Sequence, residues 1–181
     1  MVLKREKLIA TFSARIFPSK KTTVAIALGS NLGNSQATLE LAIDLLDRAP
    51  GITVKTRSSW YETAPIGPSQ PDYLNGCAIL EVEREPHSLL GILLDIEREF
   101  GRVRLQRWGP RTLDLDLLLF GSLILETPEL QIPHPRMRER AFVLVPLAEI
   151  APEWIEPVSG EAIAQLVEKV DRCGVKKQEL N

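Results

Sequence analysis

Hydrophobic positions along this chain recur in two rhythms, and their alternation lays out a mixed fold. The run Thr22–Leu28, TTVAIAL, is β-branched and apolar, ends at Gly29, and predicts a strand followed by the turn-rich SNLGNS. Ser35 opens SQATLELAIDLLDRAPG, where Leu39, Ile43 and Leu46 recur at helical spacing and Pro50-Gly51 supplies a stop. ITVKTRSSWYET alternates weakly and predicts one strand; APIGPSQPD, with three prolines, predicts a stiff loop. YLNGCAILEVERE returns as a strand with Ala78, Leu80 and Val82 on one face. EPHSLLGILLDIEREFG predicts a second helix with Leu89, Leu93, Ile96 and Phe100 on its stripe and Gly101 as its C-cap.

The next strand lies within RWGPRTLDLDLLLF, Arg107 to Phe120, which is nearly solid leucine yet carries two aspartates. Period two puts Asp114 and Asp116 on one side with Leu118 and Phe120, and Leu113, Leu115 and Leu117 on the other. The order β-α-β-β-α-β predicts an α+β fold with a ferredoxin-like core, both helices on one sheet face. Beyond it, SLILETPELQIPHPRMRERAFVLVPLAEIAPEWIEP and EAIAQLVEKV predict a short hairpin and additional C-terminal helices that cover other surface of the sheet.

Composition narrows the partners. The 181 residues suit one domain, expected over residues 22–181, with residues 1–21 as a flexible, basic extension outside it. Lys plus Arg is 22 against 24 Asp plus Glu, so nothing draws the whole chain to nucleic acid or a membrane surface, and any anion site must be local. No apolar run approaches the ~20 residues of a membrane span. Cys77 and Cys173 have neither disulfide-scaffold density nor zinc spacing, which suits a cytoplasmic protein. The first twenty residues hold scattered basic and apolar positions, but Glu6 interrupts a targeting pattern.

Two adjacent carboxylates on a half-buried strand need a cation nearby, because like charges and desolvation raise each other's cost. The sequence offers two: arginines upstream (Arg102, Arg104, Arg107 and Arg111) or a divalent metal such as Mg²⁺, which favours carboxylates combined with substrate phosphates. Residue chemistry alone leaves ion pair and metal open. The arginines suit a polyphosphate clamp, against the alternative of a solvated basic loop. Trp108 in that Gly- and Pro-containing loop points to a segment that closes over something. His134 in IPHPR could donate to a phosphate, and Tyr73, Asn75 and Phe142 could hold a flat heterocycle; each is more ordinarily structural on its own. No P-loop occurs, and GSNLGN lacks dinucleotide-fingerprint spacing, so it reads as a turn.

Taken together, VAIALGSNLGN, YETAPIGPSQPDYLN, GRVR, RWGPRTLDLDLLLF, IPHPRMRERAFVLVPL and EIAP resemble, in order, the 6-hydroxymethyl-7,8-dihydropterin pyrophosphokinase family over Thr22 to Pro157. The resemblance implies transfer of diphosphate from ATP to the pterin hydroxymethyl oxygen, releasing AMP, in folate biosynthesis. It implies a catalytic set of Arg102, Arg111, Asp114 and Asp116, with Asp114 and Asp116 holding two Mg²⁺ ions. It further implies ATP binding by Arg102, Arg104, Trp108, Arg111, His134 and Arg140, and pterin binding by Thr63, Ile66, Tyr73, Asn75, Trp108 and Phe142. The expected partners are these small molecules, with no nucleic acid and no membrane, acting on a monomer. The GPSQP loop and the LQ between Arg104 and Arg107 look shorter than the family pattern, and Glu129 and Gln131 replace an expected basic and hydroxyl residue. A ferredoxin-like nucleic-acid-binding module is disfavoured by the acidic balance and the paired carboxylates. A two-metal nucleotidyltransferase would instead release pyrophosphate.

Overall fold

A computed structural model describes residues 20–65, 69–101 and 110–179. Strand β1 (Thr22–Ser30) leads through a short turn into helix α1 (Ser35–Arg48). The Asn34 side chain caps that helix by accepting from the Ala37 N–H at 3.0 Å. The expected stripe Leu39, Ile43 and Leu46 is buried.

The segment expected as one strand is two, β2 (Ile52–Arg57) and β3 (Tyr61–Thr63), laid end to end along β4 (Tyr73–Val82). The break has a side-chain cause. Ser58 donates its backbone N–H to the Cys77 carbonyl at 2.9 Å, but the Cys77 N–H donates to the Ser58 hydroxyl instead of a backbone carbonyl. Trp60 then lies against Gly76, where a Cβ would sit 2.6 Å from its ring. Helix α2 (Pro86–Glu99) follows, with cap residue Phe100 and then Gly101 at φ +73°, so the glycine stands one place beyond the cap.

Strand β5 (Asp114–Phe120) pairs with β1, which pairs with β4, all antiparallel; the sheet order runs β5-β1-β4 with β2 and β3 both on the far edge of β4. One sheet face packs α1 and α2 around Val24, Ile26, Leu80, Leu115 and Leu117. The other packs Ala25, Cys77, Ile79, Leu118 and Leu119. Against it lie α3 (Ala141–Ile150) and the short α4 (Ile163–Val167), as expected of the C-terminal helices.

The strict alternation expected along β5 fails at its end. Ala25 faces Leu119 and Ile26 faces Leu117, so Leu118 is an extra, bulged residue. Asp114, Asp116 and Leu118 share the α3 side as expected, but Phe120 packs with α1 and α2. The hairpin β6 (Leu125–Glu126) with β7 (Gln131–Ile132) matches the expected one, and β8 (Ile155–Glu156) with β9 (Glu161–Ala162) adds a second. Strand β10 (Val175–Lys177) extends the sheet beyond β3, an edge the sequence reading missed because three residues carry too little period to detect. Among the described residues no helix is long and apolar enough to cross a membrane.

Candidate active site

The residues of the α3 side of the sheet line up across five strands. Lys177 pairs with Tyr61, Tyr61 with Asn75, Asn75 with Gly29, and Gly29 with Asp114. Beside this row Thr63 faces Tyr73 and Ala27 faces Asp116. The row has no bulky central member: a Cβ on Gly29 would meet Asn75 Oδ1 at 2.8 Å. A cavity opens over the row, walled by Thr63, Tyr73 and Asn75 at one end and by Arg111, Asp114 and Asp116 at the other, with Arg140 and Phe142 from the start of α3 bordering it.

Each end has its own chemistry. At the Asn75 end the amide donates to the Thr63 hydroxyl at 2.6 Å, fixing the polar edge of a slot that Tyr73 and Phe142 also border. An amide, a hydroxyl and two aromatic rings suit a flat, polar-edged ring system. At the other end Arg111 engages the Asp114 carboxylate, and Arg140 donates to Asp116 Oδ2 at 3.3 Å. Among the described residues an arginine thus stands beside each aspartate, one from the expected upstream set and one from the start of α3. The Arg140 guanidinium also lies 5.6 Å from the Phe142 ring centroid, joining the two ends.

Electrostatics follow from this crowding. Burial opposes the Arg111 charge, but Asp114, together with Tyr73 and Asp116, outweighs it and its pKa moves up. Burial moves Arg140 the other way, below the ordinary arginine value, against the pull of Asp116. His134 Nε2 lies 3.8 Å from Asp116 Oδ2, and burial lowers its pKa. The Arg136 backbone N–H donates to His134 Nδ1 at 3.1 Å, so the neutral ring carries its proton on Nε2, the nitrogen nearer Asp116.

Eight expected residues therefore border one cavity: Thr63, Tyr73, Asn75, Arg111, Asp114, Asp116, Arg140 and Phe142. His134 adjoins it through Asp116. Ile66, Arg102, Arg104 and Trp108 lie outside the described residues. Sequence reasoning missed three contributors. Gly29, read as part of a turn, belongs to β1 and borders the cavity. Arg136 borders it too. Asn31, 4% exposed, accepts from the Arg111 N–H at 2.8 Å and donates its amide to Gln70 Oε1 and the Pro71 carbonyl, both at 3.0 Å. It ties the proline-rich loop to the arginine that meets Asp114.

Among the described residues no three His, Cys, Asp or Glu side chains cluster as a self-sufficient metal cage. The donor set present is a pair of carboxylates on one strand face, which fits Mg²⁺: it is commonly bound by one or two carboxylates and completes its shell with waters and substrate phosphates.

The family model for 7,8-dihydro-6-hydroxymethylpterin-pyrophosphokinase (HPPK) matches residues 25–152. A 2-amino-4-hydroxy-6-hydroxymethyldihydropteridine pyrophosphokinase from Synechocystis is 51% identical over 167 residues, covering 92% of this chain and 86% of the relative. The Pseudomonas aeruginosa protein of that name is 48% identical over 155 residues, covering 85% and 95%. A crystal structure of Plasmodium falciparum HPPK-DHPS superposes with a TM-score of 0.67 at 16% identity, covering 87% of this chain and 45% of that one, a likeness of fold alone. Matched along most of its length and at this level of identity, the chain belongs to the 7,8-dihydro-6-hydroxymethylpterin-pyrophosphokinase family.

Proposed function

We propose that this chain transfers the diphosphate group of ATP to the hydroxymethyl oxygen of 6-hydroxymethyl-7,8-dihydropterin, releasing AMP, in folate biosynthesis. One observation carries the reading beyond family membership: an end bordered by Asn75, Thr63 and the rings of Tyr73 and Phe142 and a charged end at Asp114 and Asp116 belong to the same cavity. That is the division a heterocycle bearing a reacting hydroxymethyl arm requires. The strand order β5-β1-β4-β2 with two helices on one face supports the ferredoxin-like arrangement over a single unit spanning residues 22–181.

In this reading Tyr73 and Phe142 stack the pterin while Thr63 and Asn75 address its edge. Asp114 and Asp116 would hold two Mg²⁺ ions, which would supply positive charge to the ATP phosphates. Arg111 and Arg140, which engage the aspartates in the structure, turn their guanidinium groups to the ATP phosphates, and His134 donates from Nε2. The substrate oxygen attacks the β-phosphorus, the bond between β-phosphorus and the α,β-bridging oxygen breaks, the hydroxyl proton passes to solvent water, and AMP leaves. The protein contributes positioning and preorganised charge, with no covalent intermediate on the enzyme. Arg102, Arg104 and Trp108 complete the phosphate and closure roles, and Ile66 the pterin edge, on the strength of the family motif. Action by a monomer in the cytoplasm completes the reading; that location suits a reaction that consumes ATP.

Incubation with ATP, Mg²⁺ and the pterin, with the nucleotide products resolved, tests the reading. Pterin-dependent AMP that disappears on adding EDTA is expected. Release of pyrophosphate would point to attack at the α-phosphorus, and no pterin-dependent product would overturn the assignment.

A further inference from the structure

The last turn of α3 carries a carboxylate, Glu149, at the helix end where the backbone dipole disfavours negative charge. It is heavily engaged there. Oε1 accepts from the Ser59 hydroxyl at 2.8 Å and from Lys177 Nζ at 3.2 Å. Oε2 accepts from the Tyr61 hydroxyl at 2.7 Å and from the Ser59 N–H at 3.2 Å. Both side chains at the outer end of the cross-strand row, Lys177 and Tyr61, thus converge on one group.

The opposite end of the same helix bears on the opposite end of the row. Arg140, its N-cap, donates to Asp116 on β5, while Glu149 grips Tyr61 on β3. Positions 140 and 149 are separated by roughly 13 Å along a helix at 1.5 Å per residue. Strands β3 and β5 are three strand spacings apart, roughly 14 Å at 4.7–4.9 Å each. The helix therefore spans the sheet from β3 to β5. Phe142 and Glu149 are seven residues apart, two turns, and lie on the same helical stripe. Tyr61 is two residues from Thr63 on β3, so the fastening ties the Thr63 wall of the cavity to the helix that carries Phe142.

We propose that Glu149 is a positioning residue for the pterin: by fastening the end of α3 to Tyr61 and Lys177, it sets the width of the slot between Phe142 and the β3-β4 wall. The inference rests on the pterin reading of that slot. It touches neither substrate, so its signature is selective. Loss of the fastening frees β3, and Thr63 with it, from the helix and widens the pterin slot, whereas the Asn31 contact to the Arg111 backbone still holds the phosphate end.

Steady-state AMP release, with pterin and ATP varied in turn, tests this on the wild type, E149A, E149Q, Y61F and the E149A/Y61F pair. Absence of pterin-dependent AMP from the wild type would defeat the underlying reading before any variant is compared. Given that activity, the KM for pterin is expected to rise roughly tenfold or more in E149A while the KM for ATP changes by less than about twofold. E149Q, which keeps one acceptor oxygen, falls between. The double variant is no worse than E149A, because one fastening cannot be cut twice. Y61F, which keeps the ring and removes one donor, shows the same selectivity in smaller measure and decides the matter if E149A does not fold. An unchanged pterin KM, or parallel rises in both KM values as general loosening would produce, overturns the proposal.

Discussion

Asp116 concentrates the residue-scale argument, since Arg140 and His134 both approach its Oδ2. Its carboxylate borders the cavity and is one-third exposed, so an amide of the same shape fits in its place. Asp116→Asn should therefore lower pterin-dependent turnover by at least about 10²-fold, the scale of losing a key electrostatic contact, with far-UV circular dichroism unchanged. Gly29→Ala makes a subtler case. The new methyl group would press on Asn75 Oδ1, moving an amide bonded to Thr63, so the KM for pterin should rise while that for ATP holds; separate titration of the substrates checks it. The aspartate pair was legible in the sequence because a period of two is enough to set two carboxylates side by side. Asn31 was not legible, because an asparagine in a turn-rich stretch has turn chemistry as its ordinary explanation, and only the folded chain shows Gln70, Pro71 and Arg111 meeting it.

At the scale of elements, helices α1 and α2 and strands β1, β4 and β5 emerge from periodicity, since each carries several repeats of its rhythm. The misreadings fall where a single contact overrides the rhythm. Trp60 over Gly76 and the Ser58 hydroxyl in the ladder divide one expected strand into two. Gly76→Ala should destabilise the protein by about 1–3 kcal/mol, the usual cost of overfilling a packed interior, which a urea titration followed by intrinsic fluorescence measures. The bulge at Leu118 is equally silent in a run of leucines, where any phase looks apolar. It separates β5 into a stretch whose outward side chains carry charge and a stretch that packs on both faces.

For the molecule as a whole, two carboxylates outside the cavity link stability to acidity. Burial pushes Glu149 and Glu156 toward higher pKa, but hydrogen bonds outweigh it: from Tyr61, Ser59 and Lys177 to Glu149, and from Val158 and Ser159 to Glu156, with Arg138 nearby. Both pKa values fall below 4.5. A depressed carboxyl stabilises the fold above its unfolded value and loses that contribution as pH drops through the folded value. Thermal midpoints should consequently decline below about pH 4.5, and E149Q should flatten part of that decline. The cavity itself draws on β1, β3, β4, β5 and the start of α3, so no contiguous stretch of chain contains it. Occupancy is then a property of the complete fold. By mass action, each tenfold excess of ligand over its dissociation constant adds about 1.4 kcal/mol against unfolding of the entire chain. In a cell, the supply of ATP and pterin would govern how long each copy of the enzyme survives proteolysis as well as how fast it works.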